Sequence, residues 1–275
     1  MLSALCVFWG FMKLAVTGKG GVGKTTIVAG MARVLAERGQ KVLAIDADPA
    51  SNLALALGFP QDQRLTPIVE MKELIEERTE AKSGSMGGFF KLNPRVDDLP
   101  EKYTLEKDGI RLMVMGTVQK GGGGCVCPEN VMVRTLVSHL LLVRGEVVIL
   151  DMEAGVEHLG RATAQAVDKL IVVVEPGQRS LEVAQKIRRL AADIGLKNIG
   201  VVGNKIRKEA DREFLLSHMP DFHFLGFLPY DSRVVEADLG GIPPYKDNPE
   251  FLREMGGIVD RLNEDKNAER KAHSA

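Results

Sequence analysis

Cysteine is scarce in this chain: Cys6, Cys125 and Cys127 are the three in 275 residues. Three cannot build a disulfide framework, and the last two stand too close together for an ordinary structural bridge, so a reducing cytoplasm is the natural compartment. An excess of one charge is also lacking. The formal net charge of -1 gives no electrostatic reason to expect a nucleic-acid partner. No apolar run approaches the roughly 18 residues of a membrane span, and no internal repeat recurs. Residues 1–11 do not read as a secretory leader, being apolar but short, without a basic start or a convincing cleavage site. We read 1–11 as an over-extended start, with Met12 opening the first strand. A short membrane-associating leader is the alternative. What the chain does have is 45% hydrophobic residues, enough for the core of one large domain.

Runs rich in Val, Ile and Leu recur at 13–16, 41–45, 110–115, 146–150, 170–174, 199–202 and 222–227. Several are nearly continuous, which suits strands buried on both faces. Helical composition occupies 27–37, 129–143, 180–194, 210–218 and 249–263. This alternation predicts an α/β fold: one domain over 12–263, with a doubly wound, mostly parallel sheet flanked by helices. Such sheets bind ligands beyond the carboxyl ends of their strands. The main irregular stretch, 76–108, contains Gly84, Gly87, Gly88, Pro94 and Pro100. It reads as a mobile insertion long enough to carry function. The charged tail 264–275 is expected to fray.

Residues 18–26 read GKGGVGKTT. They contain the phosphate-binding pattern G-x-x-x-x-G-K-[ST] at Gly18, Gly23, Lys24 and Thr25, with a strand before it and a helix after it. That context marks a P-loop NTPase. The glycines, with Gly20 and Gly21 among them, let the backbone approach phosphate and turn its N–H groups inward. Val22 and Thr26 complete the cradle. The helix that follows adds about half a positive charge at its N-terminus. Lys24 can reach the β- and γ-phosphates, and the Thr25 hydroxyl can hold Mg²⁺.

Two more strands end in carboxylates. One runs into Asp46-Ala47-Asp48-Pro49 and another into Asp151-Met152-Glu153-Ala154-Gly155. Asp48 and Asp151 therefore sit where an acidic group can hold the waters of Mg²⁺ or orient a water on a γ-phosphate. The strand near 199–203 ends in Asn204. Its amide donates and accepts at once, which suits a purine edge, and we assign it to the adenine of ATP.

Lys19, directly after the first glycine, makes the loop resemble that of the deviant Walker A ATPases, the group of the Min and Par ATPases, the arsenite pump ATPase and nitrogenase iron protein. The resemblance spans roughly 12–263. It implies a homodimer joined face to face by ATP, with Lys19 crossing to the partner's nucleotide. It also implies that Asp48 is the switch I aspartate associated with hydrolysis and Asp151 the carboxylate after the Walker B strand. Gly155 falls in switch II, Asn204 contacts the base, and Pro229-Tyr230-Asp231 flanks it.

Residues 121–128 read GGGGCVCP. Two thiolates do not complete a structural zinc site, which takes four ligands. A two-fold axis would supply four, if Cys125 and Cys127 of two subunits face each other, and the glycines would allow the chains to approach. Soft thiolates suit Zn²⁺, Ni²⁺, Cu(I) or an iron–sulfur cluster. Nitrogenase iron protein has a cluster cysteine in a similar place and another after switch II, which this chain lacks. Asp-Ala-Asp-Pro, Cys-Val-Cys and Asp-Met-Glu-Ala-Gly-Val-Glu-His-Leu-Gly together resemble the CooC family. Those ATPases help insert nickel into carbon monoxide dehydrogenase, and close relatives serve acetyl-CoA synthase. The resemblance implies ATP, Mg²⁺ and Ni²⁺ or Zn²⁺ as ligands and a metalloenzyme client as partner; no membrane partner is expected, because residues 263–275 offer no apolar face. His158 could be a further metal ligand, although a polar role in the switch helix is the simpler assignment. A MinD/ParA-type positioning ATPase and an iron–sulfur carrier or reductase remain the rival readings.

Overall fold

The computed structural model describes residues 12–60, 62–63, 65–81, 90–117, 127–143, 145–156 and 159–274. Its strands are β1 (Lys13–Gly18), β2 (Val42–Ala47), β3 (Leu105–Lys107), β4 (Ile110–Val114), β5 (Val147–Met152), β6 (Lys169–Val174), β7 (Ile199–Ile206) and β8 (His223–Pro229). Its helices are α1 (Lys24–Glu37), α2 (Leu53–Ala56), α3 (Lys72–Thr79), α4 (Leu99–Lys102), α5 (Pro128–Val143), α6 (Arg161–Ala164), α7 (Gln178–Asp193), α8 (Glu209–His218), α9 (Ser232–Leu239) and α10 (Pro249–Ser274).

The eight strands form one sheet in the order β3-β4-β2-β5-β1-β6-β7-β8. Every described pairing is parallel except β3 against β4. Alternate residues of the central strands feed two cores. On β1, Leu14 and Val16 face α1 and α10, whose Ile27, Met31, Met255 and Ile258 fill that layer. Ala15 faces the opposite layer, where Met132 and Leu136 of α5 pack with Ala184 and Ile187 of α7. Both faces are covered, so these strands carry few polar residues, as the near-continuous apolar runs imply. The expected α/β, doubly wound, mostly parallel architecture is the one observed.

Two segments differ from the sequence reading. The stretch 76–108 is not irregular throughout. It holds the end of α3, all of α4 and the hairpin strand β3, and Asp98 bridges Arg78 and Lys102, each at 2.8 Å. Residues 82–89 lie outside the described part. The helix expected over 249–263 continues to Ser274. Asp265 accepts from Lys169 at 2.7 Å and pairs with His223 at 3.0 Å, Lys266 reaches Asp168 at 2.9 Å, and Asn198 donates to Glu269 at 2.8 Å. These contacts tie Asp265, Lys266 and Glu269 to the strand ends, within a helix that runs on to Ser274. Composition alone does not reveal that each of these charges has a partner on the body.

Candidate functional site

At the carboxyl edge of the sheet, neighbouring strands deliver their chemistry side by side. Across the edge stand Asp46 on β2 and Asp48 just after it, Asp151 on β5, the glycine loop after β1, Glu175 after β6, Asn204 and Lys205 on β7, and Pro229 on β8. Asp46 and Asp151 are register partners, as are Gly18 and Val173.

The loop from 18 to 23 is shaped by close approaches. Gly18 has φ 154°, and a Cβ there would lie 2.4 Å from the Val173 carbonyl oxygen. Gly23 has φ 95°, and a Cβ there would lie 2.5 Å from Asn204 Nδ2. Neither position accepts a side chain. Helix α1 starts at Lys24 with no side-chain cap and no acidic residue in its first turn. Its N-terminal dipole is thus left uncompensated beside the glycines, the arrangement that receives phosphate.

Lys24 is buried, and its ammonium stands 3.5 Å from Asp48 Oδ2. The Thr25 hydroxyl donates to Asp151 Oδ2 at 2.7 Å. Asp151 is fully buried, and among the described residues its Oδ1 finds no hydrogen-bond partner. An orphaned buried carboxylate oxygen costs about 1–3 kcal/mol or more. Beside a threonine hydroxyl and a phosphate loop, that oxygen fits a Mg²⁺ ion or one of its waters. Burial first, and Asp46 next to it in the sheet, push Asp151 up to about 7 against the Thr25 hydrogen bond. Burial likewise raises Asp46 to about 6, although the N–H groups of Leu53 and Asp48 work in the opposite direction.

Asp46 has a positioning task the sequence reading passed over. Its Oδ1 accepts the Asp48 N–H at 3.2 Å and its Oδ2 the Leu53 N–H at 3.0 Å. It thereby folds the turn that presents Asp48. Thr17 does the same for the segment after β5, donating to the Glu153 carbonyl at 2.6 Å and accepting the Gly155 N–H at 3.1 Å. Glu175 is a third unforeseen member. Its Oε1 accepts from Lys19 at 2.9 Å and its Oε2 from Lys205 at 3.1 Å. Burial raises its pKa, but the two ammonium groups outweigh that and hold it below the ordinary glutamate value. The signal for it was a carboxylate at a strand end, the same signal used for Asp48 and Asp151.

Next to the loop, a cleft of about 520 Å³ is lined by Gly23, Thr26, Asn204, Pro229, Tyr230 and Phe251 among others. Asn204 Nδ2 donates to the Val22 carbonyl at 2.7 Å, and its Oδ1 accepts the Lys205 N–H at 2.9 Å. The side chain assigned to adenine therefore also ties the cleft to the phosphate loop. Asp231 caps α9 and is held by Arg233 and by Asn248. The far wall is fixed by these bonds.

Cys127 is half-buried directly before α5, and its carbonyl accepts the Val131 N–H at 3.0 Å. Cys125 and His158 lie outside the described residues. Among those described, no group of three or more His, Cys, Asp and Glu side chains is placed to hold a metal ion. No described helix is long and apolar enough to cross a membrane.

Residues 13–244 match the model of the CobQ/CobB/MinD/ParA nucleotide binding domain. The chain belongs to that family. With the phosphate loop in place, this makes it an ATPase of the CobQ/CobB/MinD/ParA family. It is 50% identical over 240 residues to the carbon monoxide dehydrogenase accessory protein CooC of Rhodospirillum rubrum, covering 86% of this chain and 91% of that protein. It is 47% identical over 235 residues to an uncharacterized ATP-binding protein of Methanocaldococcus jannaschii, covering 84% of this chain and 90% of that one. The MinC:MinD cell division protein complex of Aquifex aeolicus superposes with a TM-score of 0.66, covering 91% of this chain and 95% of that chain at 22% identity. The Pyrococcus horikoshii MinD structure complexed with Mg-ADP gives a TM-score of 0.62, covering 92% and 96% at 22% identity. At such identities the MinD likeness speaks for the fold of this ATPase family.

Proposed function

We propose that this chain is an ATP-hydrolysing metallochaperone that dimerises with ATP and delivers nickel to carbon monoxide dehydrogenase or acetyl-CoA synthase. The observation that carries the reading is the 50% identity with the carbon monoxide dehydrogenase accessory protein CooC over most of both chains. The Cys125/Cys127 pair supports it, since a positioning ATPase has no task for adjacent thiolates.

In this reading Lys24 neutralises the β- and γ-phosphates, and the amides of Gly20 to Thr25 cradle them. Thr25 and Asp151 hold Mg²⁺, which spreads the charge that develops on the phosphates. Asp48, oriented by Asp46, aligns the attacking water. Asn204 and Pro229 border the adenine. Lys19 crosses to the partner's nucleotide. Nickel, the cargo, binds between two Cys125/Cys127 pairs, with Zn²⁺ able to occupy the same thiolates. Coupling demands that ATP and metal each favour the same state of the dimer. The test is a metal titration with ATP, with ADP and without nucleotide, the oligomeric state being followed in parallel. Metal affinity that is identical in all three conditions would sink the chaperone mechanism. Visible absorbance after anaerobic iron and sulfide reconstitution would favour the iron–sulfur reading instead.

Lys19→Ala is expected to lose ATP-driven dimerisation and hydrolysis together. Light scattering and phosphate release measure the two. A variant that hydrolyses at the wild-type rate while staying monomeric would refute the cross-subunit role.

The raised carboxylates set a pH dependence in the nucleotide-free protein. The folded state holds protons on Asp46 and Asp151 that the unfolded chain, with carboxylates near 3.8, has released. These two groups therefore cost stability as pH rises from about 4 to 7, and the cost is constant above that. Asp151→Asn removes the larger share. It is expected to stabilise the nucleotide-free protein by on the order of 3 kcal/mol at pH 8, and by roughly a third of that at pH 5, where the cost has only begun to accrue. Urea unfolding at the two pH values measures this. Equal effects at both would show that Asp151 is not protonated by burial.

A further inference from the structure

Within one chain, Lys19 is turned back onto its own sheet edge, where Glu175 holds it. We propose that Glu175 is a positioning residue that keeps Lys19 inside its own subunit until a partner's bound nucleotide takes the lysine over, and so sets the ATP concentration at which the dimer forms. The proposal rests on the ATP-joined homodimer of the preceding section.

The acceptor is prepared in advance. Glu175 follows β6, two residues beyond Val173, the register partner of Gly18. Lys19 therefore leaves the loop directly opposite it. The Glu175 N–H donates to Ser180 Oγ at 3.0 Å, which fixes the backbone. Its second oxygen is held by Lys205, whose ammonium also donates to the Gly21 carbonyl at 2.6 Å. Lys205 has φ 59°, a left-handed backbone at the end of β7. That conformation is costly for a lysine, and two bonds from its ammonium accompany it. Glu175 thus gives one oxygen to a cation bonded to the phosphate loop and the other to the cation meant to leave.

The pair is also weak enough to exchange. The side chains of Lys19 and Glu175 remain 33% and 24% exposed. Exposed ion pairs contribute little, whereas a lysine on phosphate makes a stronger charge-assisted bond. A chain whose Lys19 is held in cis is not competent to join a partner. The apparent ATP requirement then rises by the reciprocal of the fraction that remains free to cross.

Glu175→Gln tests this, with Glu175→Asp as the charge-preserving control. Three quantities are read: ATP-driven dimerisation, ADP affinity, and the reactivity of Lys19 toward a limiting amine-acylating reagent in nucleotide-free protein, followed by peptide mass spectrometry. In Glu175→Gln the ATP concentration at half-maximal dimerisation should fall about two- to five-fold, the range an exposed ion pair supports. Lys19 reactivity should rise, and any loss of ADP affinity passed through Lys205 and the Gly21 carbonyl should be smaller than the shift in dimerisation. Glu175→Asp should move each quantity back toward wild type. Unchanged Lys19 reactivity with an unchanged ATP requirement, in a wild type that does dimerise, would overturn the proposal alone. A drop in ADP affinity matching the shift in dimerisation would overturn it too, by making Glu175 a support of the phosphate loop. Failure of both wild type and variant to dimerise at any ATP concentration would instead remove the homodimer reading, and the proposal with it.

Discussion

Lys24→Ala is expected to abolish measurable ATP turnover, with a loss of about 10²–10³-fold or more, the scale for removing one donor preorganised on developing charge. It should also weaken nucleotide binding, because the same ammonium serves both. Asp48→Ala is the informative contrast. Lys24 is buried, with Asp48 3.5 Å from its ammonium. Removing that carboxylate leaves a buried cation without this counter-charge, a costly arrangement. Nucleotide-free Asp48→Ala should therefore melt below the wild type. ATP phosphates supply the missing negative charge, so the thermal shift on adding ATP should be larger than for the wild type. Hydrolysis should be slow in this variant, and it should accumulate as an ATP-bound dimer. Calorimetry with and without ATP, combined with phosphate release, separates the two residues. Rapid turnover in Asp48→Ala would show that this carboxylate does not orient the water.

The second large effect concerns the thiolates. Four sulfurs from two chains require about one divalent ion per dimer, the ligand count of a closed thiolate site. The Cys125→Ser, Cys127→Ser double variant should lose at least about a thousandfold in metal affinity, a modest part of the roughly 10–16 kcal/mol that a complete site supplies. ATP binding uses other groups and should survive. Binding should release protons and weaken in acid, since the ligands are thiolates. Ni²⁺ should give charge-transfer absorbance that d¹⁰ Zn²⁺ cannot. Stoichiometric binding that persists in the double variant would move the site elsewhere, with His158 the first place to look. One ion per monomer in the wild type would equally refute a shared site.

Local sequence by itself determined the frame and the reagents of this protein. Apolar runs such as 147–150 and 170–174 have to be buried on both faces, and that demand alone leads to a parallel sheet between two helical layers. The glycine loop was legible because phosphate requires backbone without side chains, and Gly18 and Gly23 are indeed closed to a Cβ. The placement of Asp48, Asp151 and Asn204 at the carboxyl edge of the sheet was legible because each lies at or beside the end of a strand. Tertiary structure decided which strand ends become neighbours. Strand order places β5 on one side of β1 and β6 on the other, so Asp151 meets Thr25 and Glu175 meets Lys19, across 126 and 156 residues of chain. No periodicity encodes such a distance. The same holds for α10, whose Asp265, Lys266 and Glu269 look solvated in isolation but find partners in Lys169, His223, Asp168 and Asn198. Burial, too, is a property of the assembled sheet: Asp46 and Asp151 are ordinary carboxylates in the chain, and only their register partnership in a dry interior lifts them toward neutrality.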